Sequence, residues 1–143
     1  MKKFLIIVSI FLTACTNLKP HFEQSDIDSG ELSFIKTKKV GVFSGEYYPW
    51  IHSVYDADGN KIVQKAAYSN RINKLYLRPG QYLLVLLCDG GNSFAHPAIS
   101  ISLEPGKTYE ASCEIGEVGK SIFGFDKPKS LEAKLIEVQP GEI

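Results

Sequence analysis

From Glu31 onward, apolar positions recur in short runs separated by Gly, Pro, Asp and Asn, and no long stretch keeps the i, i+3, i+4, i+7 spacing of an amphipathic helix. Strands are expected over 32–36, 40–44, a hairpin within 51–67, and then 72–77, 81–88, 98–103, 107–115, 122–126 and 133–138. About nine short strands with almost no helix point to an all-β domain. The expected architecture is an antiparallel β-sandwich of Ig-like or transthyretin-like type, with about 7–9 strands. A small closed β-barrel is the competing arrangement.

Three stretches carry the most local information. In IHSVYDADGNKIVQKAA, Asp58-Gly59 suits the two φ > 0 positions of a type I′ hairpin turn. That turn would set Asp56 opposite Lys61, Val54 opposite Val63 and His52 opposite Lys65, leaving Ile51, Tyr55, Ile62 and Ala66 on an apolar face turned to the core. Leu77-Arg78-Pro79-Gly80 and Leu103-Glu104-Pro105-Gly106 each read as a turn between strands, with proline and glycine at the central positions of a type II turn. The strand after the first of them, 81–88, is apolar on both faces and is expected to be central and covered on both sides.

The start of the chain has a different grammar. Lys2 and Lys3 are followed by an apolar run to Leu12, broken only by Ser9, and then by small residues, the order of an export signal. The run is shorter than the roughly 20 apolar residues a stable membrane span needs. Leu12-Thr13-Ala14-Cys15 resembles the lipobox of bacterial lipoproteins. The resemblance implies a diacylglyceryl group on the Cys15 thiol, cleavage after Ala14, and a further acyl chain on the new amino terminus. Two or three acyl chains, at about 0.8 kcal/mol per buried methylene, hold a soluble domain at a membrane where one chain does so only marginally. Thr16, where the sorting rule of this family places Asp for inner-membrane retention, favours the outer membrane. The expected organisation is a signal peptide over 1–14, a lipidated N-terminus and polar tether over 15–30, and a β-sandwich over 31–143.

Removing 14 of the 143 residues leaves 129, enough for one domain with a real core. The whole chain has 16 basic and 16 acidic residues, so losing Lys2 and Lys3 makes the remainder slightly acidic. Only Arg71 and Arg78 are arginines and no lysine stripe stands out, so no nucleic-acid partner is expected. Export would place Cys88 and Cys113 in an oxidising space. Each comes late in a strand launched by an L-x-P-G turn, with one returning strand between, so both should lie at one height and form a disulfide.

Catalytic patterns are missing from the sequence. There is no H-E-x-x-H, no G-x-S-x-G and no phosphate-cradling glycine loop, and His21, His52 and His96 are not spaced as metal ligands. No catalytic residue, metal or cofactor is expected beyond the covalent lipid. Tyr47, Tyr48 and Trp50, gathered around Pro49, are the candidate binding surface, since such rings make low-entropy anchors. The reading is a non-enzymatic, lipid-anchored envelope protein that binds a protein partner or envelope component, within an envelope or secretion assembly. The alternative is an envelope enzyme, or an inhibitor of an envelope hydrolase, working through the loop 89–97.

Overall fold

The computed structural model describes residues 30–64 and 71–139. Cys15, the leader, all of the tether before Gly30, and the residues Lys65 and Ala66 of the expected hairpin lie outside them. Eleven strands form among the described residues, and no helix. In chain order they are β1 (Ser33–Thr37), β2 (Tyr48–Tyr55), β3 (Lys61–Gln64), β4 (Lys74–Leu77), β5 (Gly80–Asp89), β6 (Phe94–Ala95), β7 (Ala98–Leu103), β8 (Thr108–Ile115), β9 (Val118–Lys120), β10 (Asp126–Pro128) and β11 (Leu131–Val138).

One sheet has the order β11-β8-β1-β4; the other runs β3-β2-β5, with β6 and β7 both on the far side of β5. A separate hairpin, β9-β10, projects beyond them. The architecture is a β-sandwich with two open sheets, and among the described residues no closed barrel forms. One pair departs from the antiparallel expectation: β1 and β8 run parallel, Ile35 beside Tyr109. β8 is launched from the opposite sheet at the end where β1 also begins, so both climb in the same direction.

The core is made where the two sheets face each other. Ile35, Leu75, Leu77, Tyr109 and Ala111 supply one side, and Ile51, Val54, Leu84, Leu86 and Cys88 are prominent on the other. Burying each large aliphatic side chain contributes roughly 1.5–3 kcal/mol. In β5 only one face is sealed: Leu84, Leu86 and Cys88 are fully buried, whereas Leu83 is 39 % exposed and Val85 and Leu87 are half-buried. The expected central position of this strand holds, because β2 and β7 flank it, but among the described residues no further sheet covers its second face.

The hairpin shows how local chemistry overrode the simplest turn. Val54 does pair with Val63, but the loop is longer than Asp58-Gly59, and Tyr55 rather than Asp56 pairs with Lys61. Asp56 turns its carboxylate inward to accept from the Asp58 and Asn60 backbone N–H groups and from Asn60 Nδ2, which also holds its pKa below the ordinary carboxylate value. The Gly59 N–H donates to the Asp56 carbonyl, so Ala57-Asp58 make the turn and Gly59, at φ 81°, follows it in the left-handed region.

The facing of the hairpin also differs, for a second reason. His52 is an extra residue in β2: Ile51 pairs with Leu86 and Ser53 with Val85. This bulge reverses the alternation, so Ile51 and Val54, three apart, both enter the core. Ile62 is only partly buried, and Tyr55 lies beneath the Lys61 ammonium on the outside.

The two L-x-P-G turns both carry the chain from one sheet to the other. At Pro105-Gly106 the expected type II geometry holds: Gly106 has φ 70°, and the Lys107 N–H reaches the Glu104 carbonyl at 3.4 Å. The first turn departs from it. Gly80 has φ 151° and already pairs with Leu103, because β5 begins immediately. Two further expectations fail: 40–44 and 122–125 are not strands but turns and loop on the surface, with β10 beginning only at Asp126.

Candidate functional site

Strand directions divide the sandwich into two poles. The tether pole holds Gly30, the Asp56–Asn60 loop and both L-x-P-G turns. There the Ser33 hydroxyl donates to the Glu104 carbonyl at 2.7 Å, and the Gly106 N–H donates to the Leu32 carbonyl at 3.2 Å. At the opposite pole β1, β5 and β8 end and β2, β4 and β11 begin. The segment between β1 and β2, the Asp89–Pro97 loop and the β9-β10 hairpin all belong to this second pole.

Cys88 and Cys113 brace it. They bring β5 of one sheet and β8 of the other to disulfide distance, with Cα atoms 5.9 Å apart at a sequence separation of 25. Their equal height follows from the connection expected of them: β5 rises, β7 returns and β8 rises again.

The three candidate aromatic residues do not form one surface. Tyr47 packs against the Asp89–Pro97 loop, its hydroxyl 3.1 Å from Ser93 Oγ. A Cβ on Gly90 would come within 2.5 Å of the Tyr47 ring, so glycine is what lets the loop lie against it. Tyr48 and Trp50, one strand alternation apart in β2, instead help line a groove of about 720 Å³. Phe34, Pro49, Asn73 and Glu110 contribute to the same walls, as do Lys36, Lys38, Lys39 and Lys74.

The lysine cluster was hidden in the sequence. Lys36, Lys38 and Lys39 lie close along the chain, but Lys74 reaches them only because β1 pairs antiparallel with β4, placing Lys36 directly opposite Lys74. Lys36 approaches Glu110 at 3.6 Å. Lys38 donates to Glu46 at 2.7 Å, and this bond and the Glu46 charge raise its pKa above the ordinary lysine value. Lys39 and Lys74 form no ion pair among the described residues.

Trp50 is half-buried, with the Arg71 guanidinium 5.0 Å from its ring centroid, and Arg71 is held in turn by Asp89 at 3.1 Å. The Trp50 Nε1 is buried without a hydrogen-bond partner, an unfavourable position for an indole donor.

The loop 89–97 spends much of its polarity on its own shape. The Gly91 N–H donates to Asp89 Oδ1 at 2.9 Å, and the Gly90 N–H donates to the Ser93 carbonyl at 2.8 Å. His52 and His96, far apart in sequence, meet with ring centroids 4.6 Å apart, and Phe94 stands edge-on to His96 at 5.7 Å. The outward bulge at His52 is what produces this meeting, and no spacing rule reveals it. Among the described residues, no group of three or more His, Cys, Asp or Glu side chains gathers as a metal site would require. No protein-family model, curated protein or solved structure matches the chain.

Proposed function

We propose that this protein is a lipid-anchored component of the bacterial cell envelope, at the outer membrane, whose β-domain is a non-catalytic binding module. Its ligand is an anionic protein or envelope component held in the groove beside Tyr48 and Trp50. The observation that carries this reading is the composition of the groove: flat aromatic and apolar walls with lysines around them, two of which, Lys39 and Lys74, form no ion pair among the described residues. Aromatic walls give contact area at low entropic cost, and unpaired ammonium groups select negative charge. The lipobox at Leu12–Cys15 supports the location.

A photo-crosslinking residue at position 74 tests the reading in living cells. A discrete adduct is expected from position 74 and none from position 136, which is exposed on β11. Lys39→Glu should remove the adduct while leaving the amount of folded protein unchanged. Identical adducts from both positions, or none from position 74, contradict the groove assignment. The alternative of an envelope enzyme or inhibitor has one observation in its favour, the His52–His96 pair beside the loop 89–97. Substrate turnover by the purified chain that is lost in His96→Ala supports that alternative.

A further inference from the structure

Two turns at the groove pole carry large apolar side chains where turns ordinarily carry polar ones. In Gly41-Val42-Phe43-Ser44, Val42 is 78 % exposed and Phe43 99 %. In the β9-β10 hairpin tip, Ser121-Ile122-Phe123-Gly124-Phe125, the exposures are 94 % for Ile122, 79 % for Phe123 and 73 % for Phe125. The turns share a pole because one continues β1, the other rises from β8, and these strands run parallel. These are the segments whose hydrophobicity reads as strand, yet the fold leaves their side chains outside the core.

Each turn is also partly closed by hydrogen bonds across its base. In the first turn the Ser44 N–H and hydroxyl both donate to the Gly41 carbonyl, and the Glu46 N–H donates to Ser44 Oγ. In the second, the Gly124 N–H donates to the Ser121 carbonyl, the Ser121 N–H to the Phe125 carbonyl, and the Phe125 N–H to Ser121 Oγ. A turn with some of its polar backbone groups engaged and apolar side chains outward enters a nonpolar phase at a lower desolvation cost than an open loop.

Lysines stand behind the tips. Lys38 and Lys120 pair with Glu46 and Asp126, while Lys39, Lys127 and Lys129 form no ion pair among the described residues. Projecting apolar tips with cationic groups behind them complement a bilayer surface, where acyl chains lie beneath anionic headgroups. A protein partner ordinarily meets a continuous surface of about 800 Å² per side, which two separate tips do not present.

We propose that this pole docks on an anionic phospholipid bilayer. Val42-Phe43 and Ile122-Phe123-Phe125 enter the headgroup–acyl boundary, and Lys127 and Lys129 meet lipid phosphates. The inference stands on the two turns and does not depend on what fills the groove. It is compatible with an anchor at Cys15. Residues 15–29 can span at most about 50 Å, more than the roughly 33 Å that the ten residues of β5 rise between the poles.

The test uses the full chain reconstituted into vesicles of phosphatidylethanolamine and phosphatidylglycerol, with Phe123→Trp introduced beside Trp50→Phe so that the chain keeps a single indole. Trp50→Phe removes a donor that has no partner and keeps an aromatic ring. Bromination of the acyl chains should abolish most of the emission from position 123, and likewise from Phe43→Trp in the other turn. Tyr76→Trp, on the outer face of β4, should stay bright. Phosphatidylcholine vesicles should give distinctly weaker quenching at position 123; equal quenching there contradicts the role given to the lysines. Bright emission at both 43 and 123 from chains that keep native circular dichroism overturns the proposal. So does a blue shift that appears without vesicles and grows with protein concentration, which identifies a second copy of the chain as the occupant.

Discussion

Leu86→Ala should destabilise the domain by about 3 to 5 kcal/mol, the usual cost of truncating a fully buried leucine in a core that cannot collapse around the space. Leu86 has 0 % exposure, pairs with Ile51 across the sheet, and lies between Leu84 and Cys88 along the inward face of β5. For a domain of this size each kcal/mol lowers Tm by roughly 4 °C, so a fall of about 12 °C or more is expected. The adjacent Leu83→Ala should cost less than about 1 kcal/mol, because that side chain faces outward and is 39 % exposed. Thermal or denaturant melts of the two variants measure the difference. Equal losses would mean that the outer face of β5 is covered after all.

The second large effect concerns the bridge between the sheets. Cys88→Ala combined with Cys113→Ala should lower stability by about 3 kcal/mol, the chain-entropy value for releasing a closed loop of this length. The closure spans 25 residues and joins β5 to β8, so its loss frees one pole of the sandwich and leaves the tether pole tied by its two short crossings. Thiol titration gives the complementary reading. Cys88 and Cys113 should be unreactive in the denatured, unreduced chain and both reactive after reduction. Two reactive thiols from this pair without reductant would contradict the bridge.

How much of this was legible depended on whether the deciding interactions were local. The cysteine pair could be placed because β5 rises, β7 returns and β8 rises again, which fixes its height. The pairing of Val54 with Val63 could be placed too, since a hairpin needs little beyond its own loop. The bulge at His52 could not: nothing in IHSVY marks an extra residue, so although Ile51 enters the core as expected, Val54 joins it there in place of Tyr55. The same bulge brings His52 to His96.

Segments 40–44 and 122–125, expected as strand, depart for a different reason. A short apolar run has the same pattern whether it is buried in a sheet or raised on a turn, and only tertiary structure separates the two. The candidate site was partly readable. Tyr48 and Trp50 do share a groove, but Tyr47 faces another loop, and Lys74 joins the cluster through a strand register set about forty residues from Lys36.

The lipid anchor at Cys15 is the central claim of the proposed function, and intact mass analysis of the chain purified from its native membranes tests it most directly. The mature polypeptide is expected to begin at Cys15 and to carry a thioether-linked diacylglyceryl group on its sulfur. A mature N-terminus at any other residue, or an unmodified Cys15 thiol, would contradict the account.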